Sequence, residues 1–143
     1  MKRFVMIAAA TLALLSPGET EVNEFTYDDA QLLMQVAQAE AGNQGPDGMW
    51  LTMSVILNRV KDETFPNTIE EVIYQPHQFS TANKLDKVEI TPEAHEALAR
   101  IEQGEVAPEI IAFESKKSHV LNDYFMSAFT YRDHIFYTKK EGD

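Results

Sequence analysis

The chain has 143 residues, 44% of them hydrophobic, which suits one globular domain with an ordinary core. Its formal net charge of −11 argues against a nucleic-acid partner, because nucleic-acid binding needs a basic face. The sequence contains no cysteine, which excludes disulfides, cysteine nucleophiles and thiolate metal ligands.

The first 18 residues have the order of a secretory signal peptide. A basic start is followed by an uncharged apolar run from Phe4 to Leu15, which Ser16-Pro17-Gly18 ends. The run is shorter than the about 20 residues that a membrane-spanning helix needs, although an uncleaved membrane tether is the alternative interpretation. We therefore expect a secreted protein with no stable membrane span after cleavage. The expected segments are a signal peptide at 1–18, an acidic linker at 19–25 and one domain at 26–140.

Four helices are predicted in the first part of the domain. Thr26 followed by Asp29, and Thr68 followed by Glu71, have the spacing of N-terminal caps, and Thr91-Pro92 is a cap with a proline in the first turn. The expected helices are about 27–41, ended by Gly42; 48–62, after a turn at 45–48; 68–74; and 92 to about 104. Residues 75–87 are expected to form a long loop.

The C-terminal part changes character. Glu109–Glu114 and His134–Thr138 are short and rich in β-branched and aromatic residues, which predicts two strands. A helix or loop containing Asn122–Phe125 is expected between them. The predicted fold class is therefore α+β, mostly helical with a small antiparallel sheet near the C-terminus.

Glu40 is an unusual polar residue for its position in the first helix. Leu33, Val36, Ala37 and Glu40 share one face, so the carboxyl lies at the C-terminal end of an apolar stripe. Partial burial and the negative end of the helix dipole both favour the neutral carboxyl, which a glycosidase general acid requires. The alternative is a structural role, in which Glu40 caps a backbone amide or pairs with Arg59.

The segment from Ala39 to Ser80 resembles the SleB/CwlJ-type cell wall hydrolases, the family of spore cortex-lytic enzymes. The matching pieces are Ala39-Glu40-Ala41, VILNRV at 55–60, FPNT at 65–68, VIYQ at 72–75, QFS at 78–80 and, further on, HIFY at 134–137. The resemblance implies a lysozyme-like fold, peptidoglycan glycan strands as the substrate, and a secreted or cell wall location.

The resemblance also implies a lytic transglycosylase in which Glu40 is the catalytic acid and then base. Such an enzyme protonates the glycosidic oxygen between N-acetylmuramic acid and N-acetylglucosamine, and the muramyl C6 hydroxyl attacks its own anomeric carbon to leave a 1,6-anhydro end. Ordinary glycosidases instead use two carboxylates on opposite sides of the bond. One alternative is a hydrolytic muramidase with Asp47, Glu114 or Asp133 as the second carboxylate. Another is a catalytically inactive wall-binding module.

The resemblance implies further substrate-binding residues. Gln78, Phe79 and Ser80 should line the groove, where Phe79 packs on a sugar face or is only a core anchor. The Tyr137 hydroxyl is expected to orient the acid or the substrate, with packing in the sheet as the alternative. Gln44 stands where many family members carry a second glutamate, and because it cannot ionise, only a hydrogen-bonding role is open to it.

Neither a metal nor a cofactor is expected. The four histidines are scattered, no HExxH spacing occurs, and there is no phosphate-binding glycine-rich loop. His134 is expected only to start a strand. Asn58 is out of place on a mostly apolar helix, so we expect it to hydrogen-bond a buried group. The protein is expected to act as a monomer.

Overall fold

The computed structural model describes residues 24–142, where four α-helices precede a three-stranded antiparallel sheet. The helices are α1 (Tyr27–Ala41), α2 (Gly45–Lys61), α3 (Ile69–Ile73) and α4 (Pro92–Glu102), and the strands are β1 (Ala112–Ser115), β2 (Met126–Tyr131) and β3 (His134–Thr138). The predicted signal peptide and residues 19–23 of the expected linker lie outside this part of the chain. None of the described helices is long and apolar enough to cross a membrane.

Two threonine caps set the starts of α1 and α3. The Thr26 hydroxyl accepts a hydrogen bond from the backbone N–H of Asp29 (3.1 Å), and the Thr68 hydroxyl accepts one from the N–H of Glu71 (3.1 Å). Each bond satisfies an N–H group that has no partner inside its helix. These contacts confirm the predicted starts of both helices.

The turn predicted at residues 45–48 is wrong, because these residues form the first turn of α2. Gly45, with φ at +75°, redirects the chain, and Pro46 fits the first helical turn, where a missing N–H has no cost. Apolar periodicity begins only at Met49, so the pattern could not reveal the preceding turn. Similarly, a 3₁₀ helix (Ala82–Lys87) occupies the end of the segment predicted as a long loop.

The sheet has the order β1-β3-β2, with Phe113 opposite Phe136 and Tyr131 opposite His134. The small C-terminal antiparallel sheet and the α+β class are confirmed. β1 begins three residues later than predicted and ends one residue later, and Glu109, with φ at +63°, cannot belong to an extended strand. The prediction missed β2, which follows a 3₁₀ helix (Val120–Asp123).

α2 is the central helix and connects the helical part to the sheet. Its side chains Met53 and Ile56 are fully buried among α1, α3 and α4, while Leu51 and Val55 pack against Phe136 of β3. Near the end of α2, the Asn58 amide donates to the carbonyls of Ala107 (2.8 Å) and Ile110 (2.9 Å). The predicted buried partner of Asn58 is therefore confirmed, and α2 is tied to the segment that leads into β1.

Trp50 connects α2 to α4 on the outer side of the helical part. Its indole N–H donates to the Glu105 carbonyl (2.6 Å), and the Arg100 guanidinium lies over the ring, 3.9 Å from its centre. Arg100 also pairs with Asp47 (2.8 Å) and Glu105 (3.0 Å). These contacts hold the start of α2 against the end of α4.

Candidate active site

Glu40 lies at the C-terminal end of α1, in the position that the sequence predicted. Leu33, Val36 and Ala37 on the same face are completely buried, whereas Glu40 is only partly buried. The Thr81 hydroxyl donates to Glu40 Oε1 over 2.8 Å. A neutral donor therefore orients one carboxylate oxygen of Glu40. The alternative prediction is that Glu40 pairs with Arg59. The hydrogen bonds of Arg59 go instead to Ile111 and Gln78.

Arg59 instead organises the loop that precedes Thr81. Its Nε donates to the Ile111 carbonyl (2.6 Å) and its Nη1 to Gln78 Oε1 (3.0 Å). The guanidinium carbon lies 5.1 Å from the Phe65 ring centre and 5.6 Å from that of Phe79. Burial lowers the pKa of Arg59 to about 10, so the side chain keeps its charge at neutral pH.

The three residues of the QFS piece have different environments. Gln78 and Ser80 are exposed, and they flank Phe79, which is 7% exposed. The Phe79 ring packs on Phe113, with 6.3 Å between ring centres. Phe79 therefore anchors the loop in the core, and little of its ring surface is accessible to a sugar. Gln78 and Ser80 are accessible, three positions and one position before Thr81, the hydrogen-bond partner of Glu40.

His134 is the first residue of β3, and its ring lies beside Phe113 and Phe136. Its ring centre lies 5.1 Å from that of Phe113 and 6.2 Å from that of Phe136. Its Nδ1 is buried and has no hydrogen-bond partner among the described residues. Burial lowers the pKa of His134, and the nearby charges of Glu40 and Asp133 offset this only in part, which favours the neutral ring. Sequence reasoning missed this electrostatic link to Glu40, because only the fold brings the Glu40 charge within range of the ring.

Gln44 lies in the link between α1 and α2, and its side chain is 1% exposed. Its Nε2 donates to Asp133 Oδ2 (3.1 Å) and to Asn43 Oδ1 (2.8 Å), while its Oε1 accepts from the Asp133 backbone N–H (3.0 Å). The hydrogen bonds from Gln44 and Lys116 lower the pKa of Asp133. The amide of Gln44 is therefore used within the protein, and the substrate contact predicted for it stays a prediction.

Tyr137 lies on the opposite face of the sheet from Phe136, because side chains alternate along a strand. Tyr137 is completely buried, and its hydroxyl donates to Glu114 Oε1 over 2.6 Å. Burial and this hydrogen bond raise the pKa of Tyr137 to about 12. The structure therefore joins Tyr137 to Glu114 rather than to Glu40.

A separate surface groove of about 830 Å³ lies between the end of α2 and the end of α3. Phe65, Tyr74 and Gln75 are among its lining residues, and Glu40 is not. Among residues 24–142, no group of three His, Asp or Glu side chains is arranged to hold a metal ion.

Comparisons with known proteins identify the family. Residues 43–137 match the family described as Cell Wall Hydrolase, which is more than half of the chain. The matched span begins just beyond Glu40. A spore cortex-lytic enzyme of Bacillus cereus is 33% identical over 75 residues, 52% of this chain and 29% of that enzyme. A spore cortex-lytic enzyme of Bacillus subtilis is 36% identical over 56 residues, 39% of this chain and 18% of that enzyme. The chain thus spans less than a third of the length of these relatives.

Two solved structures share the fold. The catalytic domain of the Bacillus cereus SleB protein superposes with a TM-score of 0.70 at 22% identity, covering 86% of this chain and 98% of that one. The catalytic domain of the germination-specific lytic transglycosylase SleB from Bacillus anthracis has a TM-score of 0.70 at 21% identity, covering 86% and 100%. This chain therefore belongs to the Cell Wall Hydrolase family, as its resemblance to the SleB/CwlJ-type enzymes implied, and it has the fold of the SleB catalytic domain.

Proposed function

We propose that this protein is an exported lytic transglycosylase that cleaves the glycan strands of peptidoglycan, with Glu40 as acid and then base. The observation that carries the proposal is the environment of Glu40, which is partly buried at the end of α1 and held by the Thr81 hydroxyl. Membership of the Cell Wall Hydrolase family supports the substrate class. The signal-peptide pattern at residues 1–18 supports export.

In the proposed reaction, Glu40 donates its proton to the oxygen between N-acetylmuramic acid and N-acetylglucosamine. The bond from the muramyl anomeric carbon to that oxygen breaks, and the N-acetylglucosamine leaves with a hydroxyl. The C6 hydroxyl of the muramyl residue then bonds to the anomeric carbon and returns a proton to Glu40. The products are together equal in mass to the substrate, because no water is consumed. Thr81 binds Oε1 in this scheme, and the other carboxylate oxygen faces the glycan.

Engagement of the other candidate carboxylates supports a mechanism with one acid. A hydrolytic muramidase needs a second carboxylate that is free to act across the bond. Asp47 pairs with Arg100 (2.8 Å), and Glu114 accepts a hydrogen bond from Tyr137 (2.6 Å). Asp133 is bound by Gln44 and by Lys116, at 3.1 Å and 3.0 Å. Each of these carboxylates is thus already held by a partner within the protein.

Mass spectrometry of the soluble products from purified peptidoglycan tests the proposal. Wild-type protein should release fragments with 1,6-anhydro ends, each lighter by one water than the hydrolytic product. Glu40→Gln should lower the rate by about 10²- to 10⁴-fold, the usual contribution of a general acid. Glu96→Gln is the matched control, because Glu96 is exposed on α4.

Three results would contradict parts of the proposal. Ordinary reducing ends would show hydrolysis and would start a search for the second carboxylate. Equal activity of Glu40→Gln and wild type would remove Glu40 from the reaction. Binding to wall preparations with no release of fragments by the wild type would favour the wall-binding module.

A further inference from the structure

Gln44 and Asp133 join the two parts of the candidate site. Gln44 follows Glu40 closely in the chain, in the link between α1 and α2, and Asp133 directly precedes His134 in the turn between β2 and β3. Their two hydrogen bonds, Nε2 to Oδ2 (3.1 Å) and backbone N–H to Oε1 (3.0 Å), connect residues far apart in sequence. We call this pair of bonds the Gln44–Asp133 bracket.

Each residue of the bracket has a fixed donor and a fixed acceptor. The Gln44 amide supplies one donor and one acceptor, and Asp133 supplies the matching acceptor and donor. A glutamate at position 44 would keep the bond from the Asp133 N–H, but it would put a second carboxylate oxygen opposite Asp133 Oδ2. Gln44 is 1% exposed, so a carboxylate in its place would be poorly hydrated and its second oxygen would lack a donor, whereas Asp133 is 57% exposed and pairs with Lys116.

Neighbouring contacts show that the structure accommodates the bracket closely. Gly48 leaves room for Gln44, since a Cβ at Gly48 would collide with the Gln44 Cβ. In the turn, Arg132 has φ at +47°, and its guanidinium passes close to Gly45. The link and the turn therefore fit against each other at two adjacent places.

A movement of the turn between β2 and β3 would displace the His134 ring. It is packed against Phe113 and Phe136, and its backbone follows Asp133 directly. Glu40 is likewise fixed by α1, which ends just before the link. The Gln44–Asp133 bracket thus contributes to how the end of α1 is placed relative to the first residue of β3.

We propose that Gln44 and Asp133 are positioning residues, which act through His134 on Glu40 and do not touch the substrate. This inference rests on the proposed function and deepens it, because it assigns to Gln44 a role in the rate of reaction rather than in binding the glycan. A displacement of about 1 Å in such a constellation costs on the order of 10²-fold in rate.

A double-mutant cycle tests the inference. Gln44→Glu should lower kcat roughly 10- to 100-fold while KM stays near the wild-type value. Asp133→Asn should have a milder effect, because the Asn amide can turn its oxygen towards Gln44. Gln44→Glu combined with Asp133→Asn should recover most of the lost kcat, since the new carboxylate then accepts from the Asn amide, so the side-chain bond reverses its direction while the backbone bond is kept.

The control is Gln103→Glu, the same chemical change at an exposed position after α4. All rates are measured well below the melting temperature of each variant, so that loss of folded protein does not mimic loss of kcat. A folded Gln44→Glu variant with wild-type kcat would overturn the inference. So would a rise in KM at constant kcat, which is the signature of a substrate contact, or a double variant no better than Gln44→Glu.

A second readout does not depend on cleavage. The Phe113 ring, 5.1 Å from His134, shifts the NMR signals of the imidazole protons according to its position. At a pH well above the pKa of His134, Gln44→Glu should move these signals and the double variant should return them. Unchanged signals in Gln44→Glu would contradict the bracket. If wild-type protein releases no anhydro products, the proposed function fails. The His134 signals then still test whether the Gln44–Asp133 bracket positions His134.

Discussion

Single side chains around Glu40 divide into those that the sequence could identify and those that it could not. Glu40 was predictable, because helical spacing with Leu33, Val36 and Ala37 puts it at the end of a buried stripe. Thr81 and His134 were not, since their closeness to Glu40 depends on the loop and the sheet meeting α1 in space. Spacing along the chain carries no information about such contacts between distant segments.

Tyr137 allows a prediction at the residue scale that depends on pH. Tyr137→Phe removes the bond to Glu114 and should destabilise the protein by about 1–3 kcal/mol at pH 7. Hydrogen bonds from Ser118, Tyr137 and the backbone lower the pKa of Glu114 although burial acts to raise it. A depressed carboxyl pKa contributes stability above the ordinary value of 4.5, and this contribution is lost as the pH falls through the folded-state pKa.

The difference in unfolding free energy between wild type and Tyr137→Phe should therefore shrink as the pH falls below 4.5. Urea unfolding at pH 7 and at several lower pH values measures it. The rate of glycan cleavage at pH 7 should remain close to wild type, because the Tyr137 hydroxyl is bound to Glu114. A large fall in kcat with little loss of stability would restore Tyr137 as a site residue.

Helices and strands likewise divide into those set by neighbouring residues in the sequence and those set by contacts with distant segments. α1 and α3 were predictable because Thr26 and Thr68 cap them through contacts three residues away. β2 was not, because Met126 to Thr130 are all exposed and have no alternation of buried and exposed side chains. Pairing with β3 makes this segment a strand, and that pairing is tertiary.

Arg59 supports a prediction at the scale of elements, because it joins α2 to the 78–81 loop and to the segment before β1. Arg59→Lys should destabilise the protein by about 2 kcal/mol, since an ammonium cannot reach the Ile111 carbonyl and Gln78 in the same fork-like geometry. Hydrogen exchange should quicken at the amides of residues 78–81 more than in α1. Equal acceleration throughout the domain would mean that Arg59 acts only on global stability.

The whole molecule is strongly acidic, with a formal net charge of −11. Bacterial walls carry anionic polymers, so long-range repulsion should oppose the approach of the protein. Binding to isolated walls should strengthen when the ionic strength rises from about 0.01 M to about 0.15 M, as the screening length falls from about 30 Å to about 8 Å. A co-sedimentation assay across this range measures the effect. Weaker binding with added salt would point instead to a local basic contact with the wall.

At the same scale, the fold class could be predicted and the arrangement of its two parts could not. Helix caps and the β-branched, aromatic C-terminal segments predict α+β. The way the sheet sits on α2 depends on Phe136 packing against Leu51 and Val55, and on the Gln44–Asp133 bracket. Both join segments from opposite ends of the domain, so only the three-dimensional structure reveals them.

The contact between Trp50 and Arg100 gives the protein its own optical reporter. Trp50 is the sole tryptophan of the chain, and in the native state a guanidinium covers its indole at 3.9 Å. Separation of α2 from α4 would remove this cation and surround the ring with water. Intrinsic fluorescence of one residue therefore follows the docking of these helices without any label.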